Sequence, residues 1–124
     1  MPVLALIEHT FYDDLMAPIS PTDNILISRI KGTASRHARH RPLTEGERHA
    51  AITELADIAQ GRADLLAYCA GTTAGFHHGD PDEAHHLRAA QLCIDAGADT
   101  TQITRWTQEG HRRAASASAG RTRR

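Results

Sequence analysis

The chain is predicted to be all-α, a small bundle of about four helices spanning residues 43–115. Three observations predict this. Apolar residues recur at three-and-four spacing in successive windows after Pro42, helix-start signals stand in front of most of these windows, and glycines close two of them. With 124 residues there is room for one small domain, and an aromatic content of 4% leaves its core to Leu, Ile and Ala, so close helix packing has to supply much of the burial.

The first predicted helix covers residues 45–60. Thr44 and Glu47 form the capping-box pattern in which each side chain satisfies a free backbone donor, and Gly61 ends the segment. Ala51, Ile52, Leu55, Ile58 and Ala59 make its apolar stripe, with Glu54 and Asp57 opposite. A second helix, residues 62–77, carries Leu65, Leu66, Cys69, Thr73 and Phe76 at helical spacing. Its Gly71 and Gly75, four apart, lower local propensity but leave a smooth strip that a neighbouring helix can approach closely.

Residues 81–96 form the third predicted helix, with Asp80 as N-cap, Pro81 in the first turn and Gly97 at the close. Ala84, Leu87, Ala90 and Ile94 line one side, widened by Leu92, Cys93 and Ala96. Asp99, with Gln102 as a capping-box-like partner, starts the fourth, residues 100–114, whose apolar face is Ile103, Trp106 and the gap at Gly110.

The corner Gly97-Ala98-Asp99 meets the steric requirements of a helix-turn-helix: a glycine able to take positive φ, small residues before it, and Ile103 and Trp106 to dock the second helix. Thr101, Arg105, Gln108 and Arg112 fall on one side of the last helix, and Arg and Gln suit guanine and adenine edges in the major groove. With Gln102 and Arg113 they form the candidate DNA-binding set, and Arg121, Arg123 and Arg124 could add phosphate contacts. A helical corner with an exposed polar face and no DNA contact is the plainer alternative.

Charge is uneven although the net is −1. Residues 43–99 hold ten acids against three arginines, residues 100–124 six arginines against Glu109, and the stretch from Arg29 to Arg41 five basic residues and no acid. Basic flanks of this kind can meet a polyanion or fold back on the acidic middle.

The first 42 residues lack a sustained period and are predicted to be a poorly ordered arm. "VLALI" and "NILISRI" suit short strands or single helical turns, and "KGTASRHARHRP" suits a basic linker. The end, residues 116–124, is predicted to be a basic disordered tail. The longest apolar run, Val3 to Ile7, is far too short to span a membrane, and no secretory pattern opens the chain, so the cytoplasm is the default address. Cys69 and Cys93 are expected to be buried free thiols.

His77, His78, His85 and His86 cluster with Asp80, Asp82 and Glu83 around the turn between the second and third helices. No zinc spacing is present, so solvated imidazoles that titrate near neutrality are expected rather than a metal site. Nucleotide-binding and hydrolase motifs are missing, and neither Asp13-Asp14 nor Asp80/Asp82 has a recognisable pocket, so no enzyme activity and no cofactor are expected.

The run "ADLLA", then "GFHHGD", then "LCIDAGAD", Ile103 and Trp106 resembles a group of small helical proteins of actinomycete genomes, plasmids and prophages. The resemblance covers Leu43 to Ala115 and implies the helical fold; it brings no activity with it. His111 stands where that pattern has arginine, which trims the basic face. Two functions follow as expectations: a small non-enzymatic accessory or regulatory protein, of a mobile element, contacting DNA through the last helix and basic flanks; or a helical interaction module or homo-oligomer without DNA contact.

Overall fold

The computed structural model describes residues 20–39 and 41–122, with side chains to residue 118. These residues form five α-helices and a 3₁₀ turn, without a strand among them: α1 Pro21–Ala38, α2 Glu45–Ala59, α3 Ala63–Phe76, α4 Glu83–Asp95, the turn Thr100–Gln102, and α5 Ile103–Thr122. None of the helices is long and apolar enough to cross a membrane.

α1 corrects the predicted arm. Ser20 accepts a hydrogen bond from the Asp23 backbone N–H at 3.1 Å, and Pro21 opens the first turn. Ile27, Ile30, Ala34 and Ala38 then fall at three-and-four spacing and are buried. The basic residues that suggest a linker sit on the other faces: Arg36 and His37 reach Glu54 of α2, the latter at 2.6 Å. Residues 1–19, with the run Val3 to Ile7, lie outside the described residues.

The other boundaries follow local chemistry. Thr44 and Glu47 close the capping box in both directions, at 3.1 and 2.9 Å, and Gln60 and Gly61 both take positive φ where α2 ends. α4 starts at Glu83, two residues later than predicted, because the Asp80 carboxylate accepts from His77 Nδ1 at 2.8 Å instead of capping. Gly97 has φ 119°, as the corner requires. Asp99 accepts from the Thr101 N–H at 3.0 Å, while its own N–H bonds the carbonyl of Ala63 at 3.1 Å and pins the corner to the start of α3.

α3 is the central helix, buried continuously from Leu65 to Thr72. α5 lies along it rather than folding back on α4. The seam is made by glycines: a Cβ at Gly71 would stand 2.5 Å from the Trp106 Cβ, and one at Gly110 2.6 Å from the Thr72 carbonyl oxygen, so only hydrogen fits at either place. Trp106, 2% exposed, packs edge-on against Tyr68 with ring centroids 4.7 Å apart. Its Nε1 has no described hydrogen-bond partner, a desolvation cost that the ring's burial outweighs.

Two further expectations are corrected. Leu87 and Ala84 are exposed; the core side of α4 is Ala89, Ala90, Leu92 and Cys93, because α4 meets α1 as well as α3. The predicted tail is helical as far as Thr122, since "AASASA" carries good helix formers and no breaker before Gly120. Arg123 and Arg124 lie outside the described residues.

Candidate functional site

On α5, the residues that dock on α3 are Ile103, Trp106, Thr107 and Gly110. One hundred degrees per residue puts Arg105, Gln108 and Arg112 on the opposite side, Thr101 stands in the 3₁₀ turn before them, and all four are exposed. Arg105 makes no ion pair with a described carboxylate. The Thr101 hydroxyl donates to Asp99 at 2.6 Å, and half-buried Gln102 donates to the same carboxylate at 3.0 Å, so both belong to the cap.

Arg112 and Arg113 converge on Glu109 instead of standing free. Arg112 pairs with it through Nε and Nη2, and Arg113 Nε donates to Oε1 at 3.1 Å. Arg112, then Arg113, holds the Glu109 carboxyl below the ordinary carboxylate range. Arg113 also donates from Nη1 to the Tyr68 hydroxyl at 3.0 Å, turning inward to the bundle. Of the predicted set, Arg105 and Gln108 are thus presented without prior engagement, Arg112 is presented but paired, and Gln102 and Arg113 face the protein.

The histidines are built into the fold more than predicted. His78 is exposed, but His77, His85 and His86 are half-buried. His77 and His86 stack face to face with centroids 3.4 Å apart, and His85 Nε2 donates to the Ser35 carbonyl at 2.9 Å, joining α4 to α1. Burial, then the His77 and His85 rings, lowers the His86 pKa. Among the described residues no group of three or more His, Cys, Asp or Glu could hold a metal.

A cleft of about 350 Å³ opens between α1, α3, α4 and the inner edge of α5. The His77/His86 stack and Phe76 stand among its walls, and Cys69 and Cys93 line it together with Ala34 and Ala89. Burial raises both thiols, Cys93 to about 12, so neither is a thiolate nucleophile near neutral pH. Two cations line the same space, Lys31 from α1 and Arg113 from α5. The Lys31 Nζ lies 5.3 Å and the Arg113 guanidinium carbon 5.8 Å from the Tyr68 ring centre. Burial lowers the Lys31 pKa, and no described carboxylate pairs with it. Sequence reasoning missed this cleft; its signal was Lys31 within the Ile27, Ile30, Ala34 periodicity, which places an amine at the edge of a buried stripe.

Comparison with protein-family models, curated proteins and solved structures gives no match to the chain.

Proposed function

We propose that the protein is a small non-enzymatic accessory or regulatory protein of a mobile element that contacts DNA through the outward face of α5. The observation that carries this reading is the presentation of exposed Arg105, which has no described carboxylate partner, with Gln108 on the side of α5 away from its glycine seam. Arg112 adds positive charge beside them, partly neutralised by Glu109. The acid-rich helix α2 packs mainly on α1, and α5 on α3, so α2 is not a packing neighbour of α5. In this reading the corner at Gly97 serves as a helix-turn-helix-like device that sets the angle of α5, held by the Asp99 to Ala63 bond rather than by α4. The high thiol pKa values support a non-enzymatic role for both cysteines. The mobile-element setting rests on the sequence resemblance alone.

Selection from a random duplex pool followed by salt-dependent anisotropy tests the proposal. The intact chain should enrich a motif, and Arg105→Ala with Gln108→Ala should abolish the preference. Arg105→Ala alone should cost about 1–3 kcal/mol of affinity and relax the preference at the base it reads. Enrichment of no motif, or a double variant that selects the same motif with equal affinity, overturns it. Leu87, 46% exposed on α4, favours a second reading, docking of another copy or another helical protein. That reading is removed if the chain sediments strictly as a monomer and Leu87→Glu weakens its association with no other protein.

A further inference from the structure

The cleft beneath α5 takes no part in the DNA reading, and its composition points to a ligand of definite chemistry. Its floor is apolar, made by two protonated thiols, Ala34 and Ala89, and its volume of about 350 Å³ falls at the small end of the range that holds small molecules. None of the residues lining it is a carboxylate. Lys31 Nζ has no described hydrogen-bond acceptor, only the Tyr68 ring face. Arg113 commits Nε to Glu109 and Nη1 to the Tyr68 hydroxyl, which leaves Nη2 with no described partner. A half-buried ammonium and an open guanidinium edge therefore line one small apolar space.

An unpaired cation held out of water is unfavourable unless something negative visits it, and a charge-assisted hydrogen bond to a carboxylate is stronger than one to a neutral acceptor. Glu109 is shared between Arg112 and Arg113 and offsets only part of the Arg113 charge, so the cleft keeps a net positive charge that one carboxylate, with one oxygen for Lys31 and one for Arg113, can meet. The lining sets the rest, because Ala34, Cys69, Phe76, Ala89 and Cys93 can cover a hydrocarbon or aromatic body once the anionic end is held by Lys31 and Arg113. We propose that this cleft binds a small organic monocarboxylate with an apolar body.

The fold change in affinity between charged and neutral probes of one shape decides it. Isotope-labelled full-length protein is titrated with phenylacetate, phenylacetamide and inorganic phosphate, following backbone amide resonances. Phenylacetate should give saturable shifts concentrated at Lys31, Thr73, Ala89 and Arg113, with millimolar or tighter affinity. Phenylacetamide and phosphate should each bind at least tenfold more weakly, the first lacking the charge and the second the apolar body. Lys31→Met keeps the aliphatic stem, removes the charge and should lower phenylacetate affinity at least tenfold. Because the buried amine is itself a burden on folding, this variant should melt no lower than the parent, which separates loss of binding from loss of fold. Arg113→Gln gives a second measure at the other donor. Absence of saturable shifts, equal binding of acid and amide, equal binding of phosphate, or unchanged affinity in Lys31→Met overturns the proposal.

Discussion

Gly75→Ala should be among the most damaging single-methyl additions available in this chain. An alanine Cβ there would fall inside contact distance of the Thr107 carbonyl oxygen, 2.9 Å from the carbonyl carbon and 3.0 Å from the His111 nitrogen. All three are backbone atoms of α5, so no side-chain rotation relieves the overlap, and α5 must move bodily outward. A gap of about 0.5–1 Å forfeits a quarter to a half of the dispersion energy along the seam, and overpacking of this kind costs about 1–3 kcal/mol, occasionally more. Partial exposure of Trp106 and Tyr68 adds to the loss, since burying one large side chain is worth about 1.5–3 kcal/mol. Alanine recovers about 1 kcal/mol through helix propensity, leaving a net destabilisation of about 2–4 kcal/mol.

The molecule supplies its own controls. Gly32 in α1 and Gly46 in α2 have no atom within 4 Å of the position a Cβ would take. Gly32→Ala and Gly46→Ala should therefore each stabilise the fold by about 0.4–1 kcal/mol. Urea denaturation followed by circular dichroism gives all three values, and emission from the single tryptophan reports the seam, shifting red in Gly75→Ala. If Gly75→Ala lies within about 0.5 kcal/mol of Gly32→Ala, α5 does not pack on α3 in this register, and both the cleft and the outer face of α5 lose their geometry.

Three further perturbations test other joints. Thr44→Ala removes half of the capping box and should cost about 1 kcal/mol in the same denaturation assay; no loss would mean that α2 frays at its start. Arg62→Ala leaves Asp23, whose side chain is 10% exposed, without its partner at 2.9 Å and unties α1 from α3. The loss should be about 1–2 kcal/mol, less than for a fully buried pair because Arg62 is 40% exposed, and full retention of stability would refute the bridge. The His86 pKa is lowered below its ordinary 6.5 by burial, then by His77 and His85, with Asp82 and Asp80 opposing. The unfolded chain then takes up this proton first, so the contribution of His86 is whole above pH 6.5 and is lost as pH falls through 6.5 toward the lower folded value. His86→Gln should flatten that part of a plot of urea midpoint against pH, and an unchanged slope would refute the assignment.

The parts of this fold that are legible in the sequence are those whose cause is local. The Thr44/Glu47 box, the positive φ at Gly97 and the Asp99 cap each depend on residues within a turn of one another, and each stands in the structure. The strip at Gly71 and Gly75 is legible too, because two glycines one turn apart on a buried helix imply a close neighbour. α1 is hidden by its own composition. Its start signal, Ser20-Pro21 with Asp23, and the stripe Ile27, Ile30, Ala34, Ala38 are present, but Arg29, Lys31, Arg36, His37 and Gly32 on the remaining faces suggest a solvated linker. A charged helix face and a charged linker share a composition and differ only in period.

What no local pattern shows is which helix α5 will choose. Chain order favours α4, its predecessor across the corner, yet the glycines of α3 offer α5 a surface it can meet at backbone contact, and the small residues of α4 are already taken by α1 and α3. That choice rotates α5 so that Arg113 meets the Tyr68 hydroxyl, while Arg105 faces water. Composition groups Arg113 with Arg105 because both are arginines on one basic helix, although they lie eight positions apart, about 80° around it. The depth to which α5 can sink against α3 therefore decides which of its cations are available to a polyanion and which one lines the cleft with Lys31.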